Sequence, residues 1–75
     1  MKLISIVTPC YNEEDNVEDL YVKVKEVMES RLHNYNYEHI FIDNASTDDT
    51  VNQLKKIAND DKNIKIIVNS RNYGH

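Results

Sequence analysis

The alternation of short apolar runs with segments of helical periodicity constrains this chain most. Leu3–Val7, His39–Ile42 and Ile64–Val68 are short runs containing several β-branched residues, which is typical of strands. Between them, apolar residues recur three or four positions apart, as on one face of a helix. They are Val17, Leu20, Tyr21, Val24, Val27 and Met28 in the first segment, and Val51, Leu54, Ile57 and Ala58 in the second. The order β-α-β-α-β predicts parallel strands with right-handed crossovers.

This pattern predicts an α/β fold, namely the three-layer β-α-β-α-β half of a doubly wound, mainly parallel, Rossmann-like sheet. The continuous apolar runs Ile40–Ile42 and Ile66–Val68 are typical of strands with both faces covered. Pro9 is expected to end the first strand, because proline cannot donate to a central ladder.

The length and the turn residues bear on domain organisation. A compact monomer of 75 residues buries only about 60% of its unfolded surface, so it is marginal alone. The chain has one glycine and one proline, where about five and four are average for this length. We therefore expect residues 1–75 to be the first part of a larger domain.

Composition excludes several classes of protein. The single cysteine, Cys10, excludes an internal disulfide and a cysteine-rich zinc site. It has no neighbouring histidine or base to activate a nucleophile, and His33 and His39 lack partners at metal-ligand spacing. The net charge of −4 without a basic run argues against nucleic acid. No apolar run is long enough for a membrane span or a signal peptide, so a cytoplasmic location is expected.

Polar residues follow each predicted strand, and ligands of open α/β sheets bind at the carboxyl ends of strands. They are Thr8, Pro9, Tyr11, Asn12 and Glu13 after the first strand, Asp43, Asn44, Ser46 and Asp48 after the second, and Asn69, Arg71 and Asn72 after the third. Each could be an ordinary loop or capping residue, but three clusters at one edge favour a binding site.

The chemistry of these clusters favours a nucleoside. No G-x-G-x-x-G or P-loop motif follows the first strand, which argues against Rossmann dehydrogenases and P-loop NTPases. Tyr11 offers a flat aromatic ring for a base. Glu13 and Asp43 offer carboxylates that accept from base N–H groups or ribose hydroxyls.

Three segments carry a family resemblance. Ser5–Glu14 resembles the opening of family 2 glycosyltransferases, in which the first strand leads into P-x-[YF]-N-E. Ile42–Thr50 resembles their D-D-G-S-x-D-x-T motif, and Ser70–Gly74 resembles the R-N-x-G segment of the branch acting on polyprenyl phosphates, similar to dolichyl-phosphate mannose synthases. The resemblance covers the whole chain.

The resemblance implies a GT-A fold that binds a nucleotide-diphosphate sugar and transfers the sugar to an acceptor, with polyprenyl phosphate as one candidate. Residues 1–75 would be its N-terminal nucleotide-binding part, in a parent enzyme at the cytoplasmic face of a membrane. The implied nucleotide-binding residues are Pro9, Tyr11, Glu13, Asp43, Asn44, Arg71 and Asn72. Asp43 would accept the base N–H, and Glu13 would face the base or the ribose.

Some of the family pattern is absent. Asn44 replaces the second acid, His75 replaces a lysine, and Ala45 replaces a glycine, which is expected to restrict the turn to conformations that a Cβ tolerates. The family binds Mg²⁺ or Mn²⁺ through a D-x-D motif, and these residues contain neither that motif nor the catalytic base. We therefore expect no catalytic residue and no metal site in residues 1–75, and no transfer by this chain alone.

The implied strand order is three, two, one, which leaves the first strand with an unpaired edge. An apolar edge is a template for pairing with another chain. We expect self-association through the first strand, with antiparallel pairing in a twofold dimer.

A non-catalytic, receiver-like α/β signalling or binding module is the alternative interpretation. Acidic residues after the first strand favour it. However, a receiver places its phosphate-accepting aspartate after the third strand, where this chain has Asn69.

Overall fold

The computed structural model describes residues 2–69, and its elements follow the predicted order. They are β1 (Leu3–Cys10), α1 (Val17–Ser30), β2 (Asn36–Asn44), α2 (Thr50–Asp60) and β3 (Ile64–Asn69). The three strands are parallel and lie in the order β1-β2-β3. The Rossmann-like β-α-β-α-β arrangement is confirmed.

One face of the sheet carries the core. Its buried apolar residues are Cys10, Val17, Phe41, Leu54 and Ile64, with Tyr21, Ile57, Ala58 and Ile66 packed against them. Both helices contribute to this cluster, so both lie on the same face of the sheet. Right-handed crossovers that progress in one direction across a sheet place successive helices on one side.

The opposite face of the sheet is open, and several large apolar side chains lie on it. Leu3, Val7 and Ile67 lie on it and are exposed to 60%, 54% and 49%. No element within residues 2–69 covers this face, so the described part of the chain has two layers. The apolar runs of β2 and β3 predicted strands that are covered on both faces of the sheet. Within residues 2–69, only the face that carries the two helices is covered.

β1 continues through Pro9 to Cys10, so the expectation that proline ends this strand is wrong. The carbonyl of Lys2 accepts from the N–H of Asn36 at 3.0 Å, so the main-chain groups of Lys2 point toward β2. Main-chain direction alternates along a strand, and Pro9 therefore faces the unpaired edge. Proline is tolerated at such a position because the missing N–H has no partner to lose.

Strand pairing also sets the start of β2. The strand begins at Asn36, three residues before the predicted start at His39, because Asn36 pairs with Leu3.

Neither described helix is long and apolar enough to cross a membrane.

Candidate functional site

The carboxyl ends of the strands meet at one edge of the sheet, as predicted. Cys10 lies opposite Asp43, and Asn44 lies opposite Asn69. Two connections begin at this edge: the first loop, residues 11–16, and the second loop, residues 45–49. These loops bring the first two polar clusters together.

Asp43 is buried beneath the second loop, with 0% of its surface exposed. One carboxylate oxygen accepts from the backbone N–H of Ser46 at 3.0 Å, and the other accepts from its hydroxyl at 2.5 Å. Burying a carboxylate is costly unless hydrogen bonds satisfy it. In this arrangement Asp43 orders the second loop from below.

Ala45 adopts a left-handed conformation with φ of 61°. The turn therefore lies in the left-handed region, which a Cβ tolerates only at a cost. The bonds from Ser46 to Asp43 require this tight turn, and they outweigh the cost of placing a Cβ in the left-handed region.

Asn12 connects the first loop to the second. Its backbone N–H donates to the hydroxyl oxygen of Ser46 at 2.9 Å. Its side-chain Oδ1 accepts from the backbone N–H of Thr47 at 2.8 Å and, at 3.4 Å, from that of Asp48. Asn12 has φ of 50°, which asparagine tolerates better than most residues.

The start of α2 provides further contacts between the loops. The N–H of Glu13 donates to the hydroxyl of the buried Thr50 at 2.8 Å, and the N–H of Glu14 donates to Asp48 at 3.2 Å. Asp48 also accepts from the N–H and the hydroxyl of Thr50. Desolvation opposes ionisation of Asp48, but the hydrogen bonds from Thr50 and Glu14 outweigh it and lower the pKa of this carboxyl. Asp48 therefore organises the start of α2.

Of the nucleotide-binding residues predicted from the sequence, Pro9, Tyr11, Glu13 and Asn44 are accessible at this edge. Tyr11 is 48% exposed, Pro9 is exposed, and Glu13 is partly buried. Asn44 is exposed, and its side-chain oxygen accepts from Asn69 at 3.1 Å.

The structure thus separates the sequence-predicted site residues into three groups. Pro9, Tyr11, Glu13 and Asn44 are accessible at the edge, whereas Asp43 is buried. Arg71 and Asn72 lie outside the described residues.

Sequence reasoning placed Asn12 and Ser46 in the polar clusters but did not predict that they join the loops. It included Thr50 in the second motif but gave it no role at the site. The signal for Thr50 was its place at the end of the second motif, four residues after Ser46. Such contacts join residues 34 to 37 positions apart, which local patterns do not reveal.

Cys10 lies below the site and is a buried free thiol. Burial raises its pKa, and the charges of Glu13 and Asp43 raise it further. A protonated, buried thiol is a poor nucleophile, in agreement with the sequence interpretation.

His39 lies within β2 and is fully buried. Its Nε2 is 2.8 Å from the hydroxyl of Thr8, and its ring centroid is 4.0 Å from that of Phe41. Its Nδ1 is buried and has no hydrogen-bond partner among residues 2–69. Burial lowers the pKa of this imidazole, so His39 is a neutral core residue.

Residues 2–69 contain no group of three or more His, Cys, Asp or Glu side chains arranged to hold a metal ion. In addition, both carboxylate oxygens of Asp48 already accept hydrogen bonds. The described residues therefore do not fit the divalent metal that the resemblance implies.

A surface groove of about 580 Å³ lies between α1 and residues 58–63, near the amino ends of the strands. It is lined by Tyr21, Lys25, Glu29 and the residues that precede β3. Ligands of parallel sheets bind at the carboxyl ends of the strands, so this groove is separate from the candidate site.

Comparison with known proteins finds similarity over the part of the chain that contains the three motif segments. The family model described as glycosyl transferase family 2 matches residues 5–75. The putative glycosyltransferase CsbB of Bacillus subtilis is 42% identical over 72 residues, which are 96% of this chain and 21% of the relative. The uncharacterized glycosyltransferase YkcC of the same organism is 41% identical over 71 residues, 95% of this chain and 21% of the relative.

A third relative has a more specific name. It is the undecaprenyl-phosphate 4-deoxy-4-formamido-L-arabinose transferase of Proteus mirabilis, which is 32% identical over 72 residues, 95% of this chain and 22% of the relative. The chain thus spans about a fifth of the length of these curated relatives.

Proposed function

Because the chain belongs to glycosyl transferase family 2, we propose that its sheet edge binds the nucleoside part of a nucleotide-diphosphate sugar. The observation that carries the proposal is the joining of the first and second loops at the carboxyl edge. This arrangement leaves Tyr11, Glu13 and Asn44 accessible on neighbouring segments. The receiver-like alternative finds less support, because β3 ends in Asn69 rather than a carboxylate.

Each accessible side chain has a chemical role in this proposal. Tyr11 packs against the base, since aromatic rings favour offset stacking. Glu13 accepts from ribose hydroxyls or a base N–H. A direct contact between Asp43 and a base requires the buried carboxylate to become accessible, so we assign Asp43 to ordering the second loop, which directly follows Asn44. Arg71 and Asn72 enter the proposal through their motif alone.

For the whole protein we propose transfer of the sugar to an acceptor at the cytoplasmic face of a membrane. The name of the Proteus mirabilis relative supports a polyprenyl phosphate as the acceptor. Residues 2–69 contain no group of three or more metal-ligating side chains, and we propose that residues outside this range hold the divalent metal and supply the catalytic base. We therefore propose that the 75-residue chain alone binds nucleotide without transferring sugar.

Titration with UDP and GDP, followed by ¹H–¹⁵N correlation spectra, tests the binding proposal. We expect shift changes confined to the first and second loops, Asn44 and the motif residues Arg71 and Asn72, with millimolar affinity, on the order of −4 kcal/mol. Tyr11→Ala should weaken binding, whereas Tyr35→Ala, at an exposed tyrosine near the opposite edge, should not. Shifts elsewhere, or equal binding by both variants, contradict the proposal.

We also propose that the 75-residue chain self-associates through β1. The main-chain N–H and C=O groups of Lys2 point toward β2, and this direction alternates from residue to residue. The main-chain groups of Leu3, Ser5 and Val7 therefore point away from β2, to the unpaired side of β1. Beside this edge lies an apolar groove of about 350 Å³ between β1 and α1. Both β1 and β3 are edge strands, but β1 is longer, with eight residues against six.

Light scattering at micromolar concentration tests this association. We expect a dimer or larger species for the wild-type chain. Val7→Pro removes one N–H from the unpaired edge and should shift the population toward monomer. Val22→Lys, at an exposed position on α1, is the control and should not. A monodisperse wild-type monomer with a cooperative melt refutes self-association.

A further inference from the structure

The contacts of Asn12 with the second loop go beyond what the family motifs describe. Asn12 combines a backbone donor and a side-chain acceptor that engage the same loop. Its N–H binds Ser46, and its Oδ1 receives the N–H groups of Thr47 and Asp48. The hydroxyl of Thr47 also approaches this oxygen, at 3.4 Å.

The hydroxyl of Ser46 extends this connection into the protein interior. It accepts from the N–H of Asn12 and donates to the buried Asp43. A continuous chain of hydrogen bonds therefore runs from the first loop through Ser46 to the end of β2. Hydrogen bonds to a charged acceptor are the stronger ones, so Asp43 fixes the direction of the Ser46 hydroxyl.

We propose that Asn12 is a positioning residue for nucleotide recognition. It holds Tyr11 and Glu13, its neighbours in sequence, at a set distance from Asn44 on the adjoining segment. This inference rests on the proposed nucleoside site. The side-chain oxygen is the essential group. Within residues 2–69, it is the only side-chain acceptor of the first loop to which the backbone N–H groups of Thr47 and Asp48 donate.

Two substitutions separate the side-chain oxygen from the backbone conformation. Asn12→Asp retains an oxygen acceptor of the same reach. Asn12→Gly removes the acceptor but accommodates φ of 50° without strain. Asn34→Gly, at an exposed position in the connection before β2, is the matched control for inserting a glycine.

Amide hydrogen exchange of Thr47 measures the connection directly. We expect Asn12→Gly to accelerate this exchange about tenfold, as for the loss of one net hydrogen bond. Asn12→Asp and Asn34→Gly should leave it within about twofold of the wild-type rate, a change below the range for one net hydrogen bond. Thr47 exchange in Asn12→Gly at the wild-type rate overturns the inference. Should Asn12→Gly fail to fold, Asn12→Ser, whose hydroxyl oxygen is one bond shorter in reach than Oδ1, is measured in the same way, and Thr47 exchange at the wild-type rate in that variant overturns the inference.

UDP and GDP titrations then distinguish positioning from simple stabilisation. We expect Asn12→Gly to lose the nucleotide-dependent shifts at a temperature where its fold is intact, and Asn12→Asp to restore them. Equal nucleotide binding by wild type and Asn12→Gly overturns the positioning role. If the wild-type chain itself binds neither nucleotide, the proposed function fails, while Thr47 exchange still decides whether Asn12 holds the loops together.

Discussion

The carboxylate of Asp43 accepts both hydrogens that Ser46 donates, at 3.0 Å from the backbone N–H and 2.5 Å from the hydroxyl. The two residues are three positions apart, and the pair closes the turn that follows β2. Since the Ser46 hydroxyl also accepts from Asn12, this pair supports the connection between the two loops at the candidate site.

Asp43→Ala should destabilise the protein, because it leaves both donors of Ser46 without their acceptor. We expect a loss of about 1–3 kcal/mol in the free energy of unfolding, measured by urea denaturation. Asp60→Ala, at an exposed position near the end of α2, is the control and should change it by about 0.5 kcal/mol or less. Equal stability of the two variants would show that the Asp43–Ser46 pair contributes nothing.

Ala45→Gly should stabilise the protein. A Cβ in the left-handed region costs about 1–2 kcal/mol, and part of this gain is offset by the greater chain entropy of glycine when unfolded. The expected net gain is up to about 1 kcal/mol. Ala58→Gly, within α2, should instead destabilise by about 1 kcal/mol. Thermal melts of the two variants test these expectations. A lower melting temperature for Ala45→Gly than for the wild type would contradict a left-handed conformation at this position, where φ is 61°.

His39 should make folding stability depend on pH. Burial lowers its pKa in the folded state, so below the unfolded pKa of about 6.5 the unfolded chain binds a proton that the folded chain excludes. Stability contributed by neutral His39 is therefore complete above that value and falls as the pH decreases.

Urea denaturation at pH 8 and pH 5 measures this effect. His39→Phe should lower the pH dependence, whereas Asn34→Ala, at an exposed residue without a titratable group, is the control and should keep the wild-type pH profile. An identical pH profile for wild type and His39→Phe would rule out His39 as the source.

The thiol of Cys10 should react slowly in the folded protein. It is buried, and its pKa is raised by burial and by the nearby carboxylates. A thiol-specific aromatic disulfide reagent at pH 8 should modify Cys10 much faster in denaturing urea than in buffer. Equal rates in the two solutions would place the thiol at the surface.

The binding site could be predicted from sequence only in outline. The positions of Tyr11, Glu13 and Asn44 follow from the rule that parallel strands place their carboxyl ends at one edge. The burial of Asp43 could not be predicted, because it depends on Ser46 closing over the carboxylate. The roles of Asn12 and Thr50 likewise depend on partners more than thirty residues away.

By itself, the sequence determined the order of elements, since helix and strand periods are local properties of neighbouring residues. It also determined which family the chain resembles, through motifs that are contiguous. Only the tertiary structure decided that both helices lie on one face, that β1 runs through Pro9, and that Ala45 adopts a left-handed turn. Each of these depends on which strand neighbours which and on hydrogen bonds between distant segments, and neither is encoded in any short window of the chain.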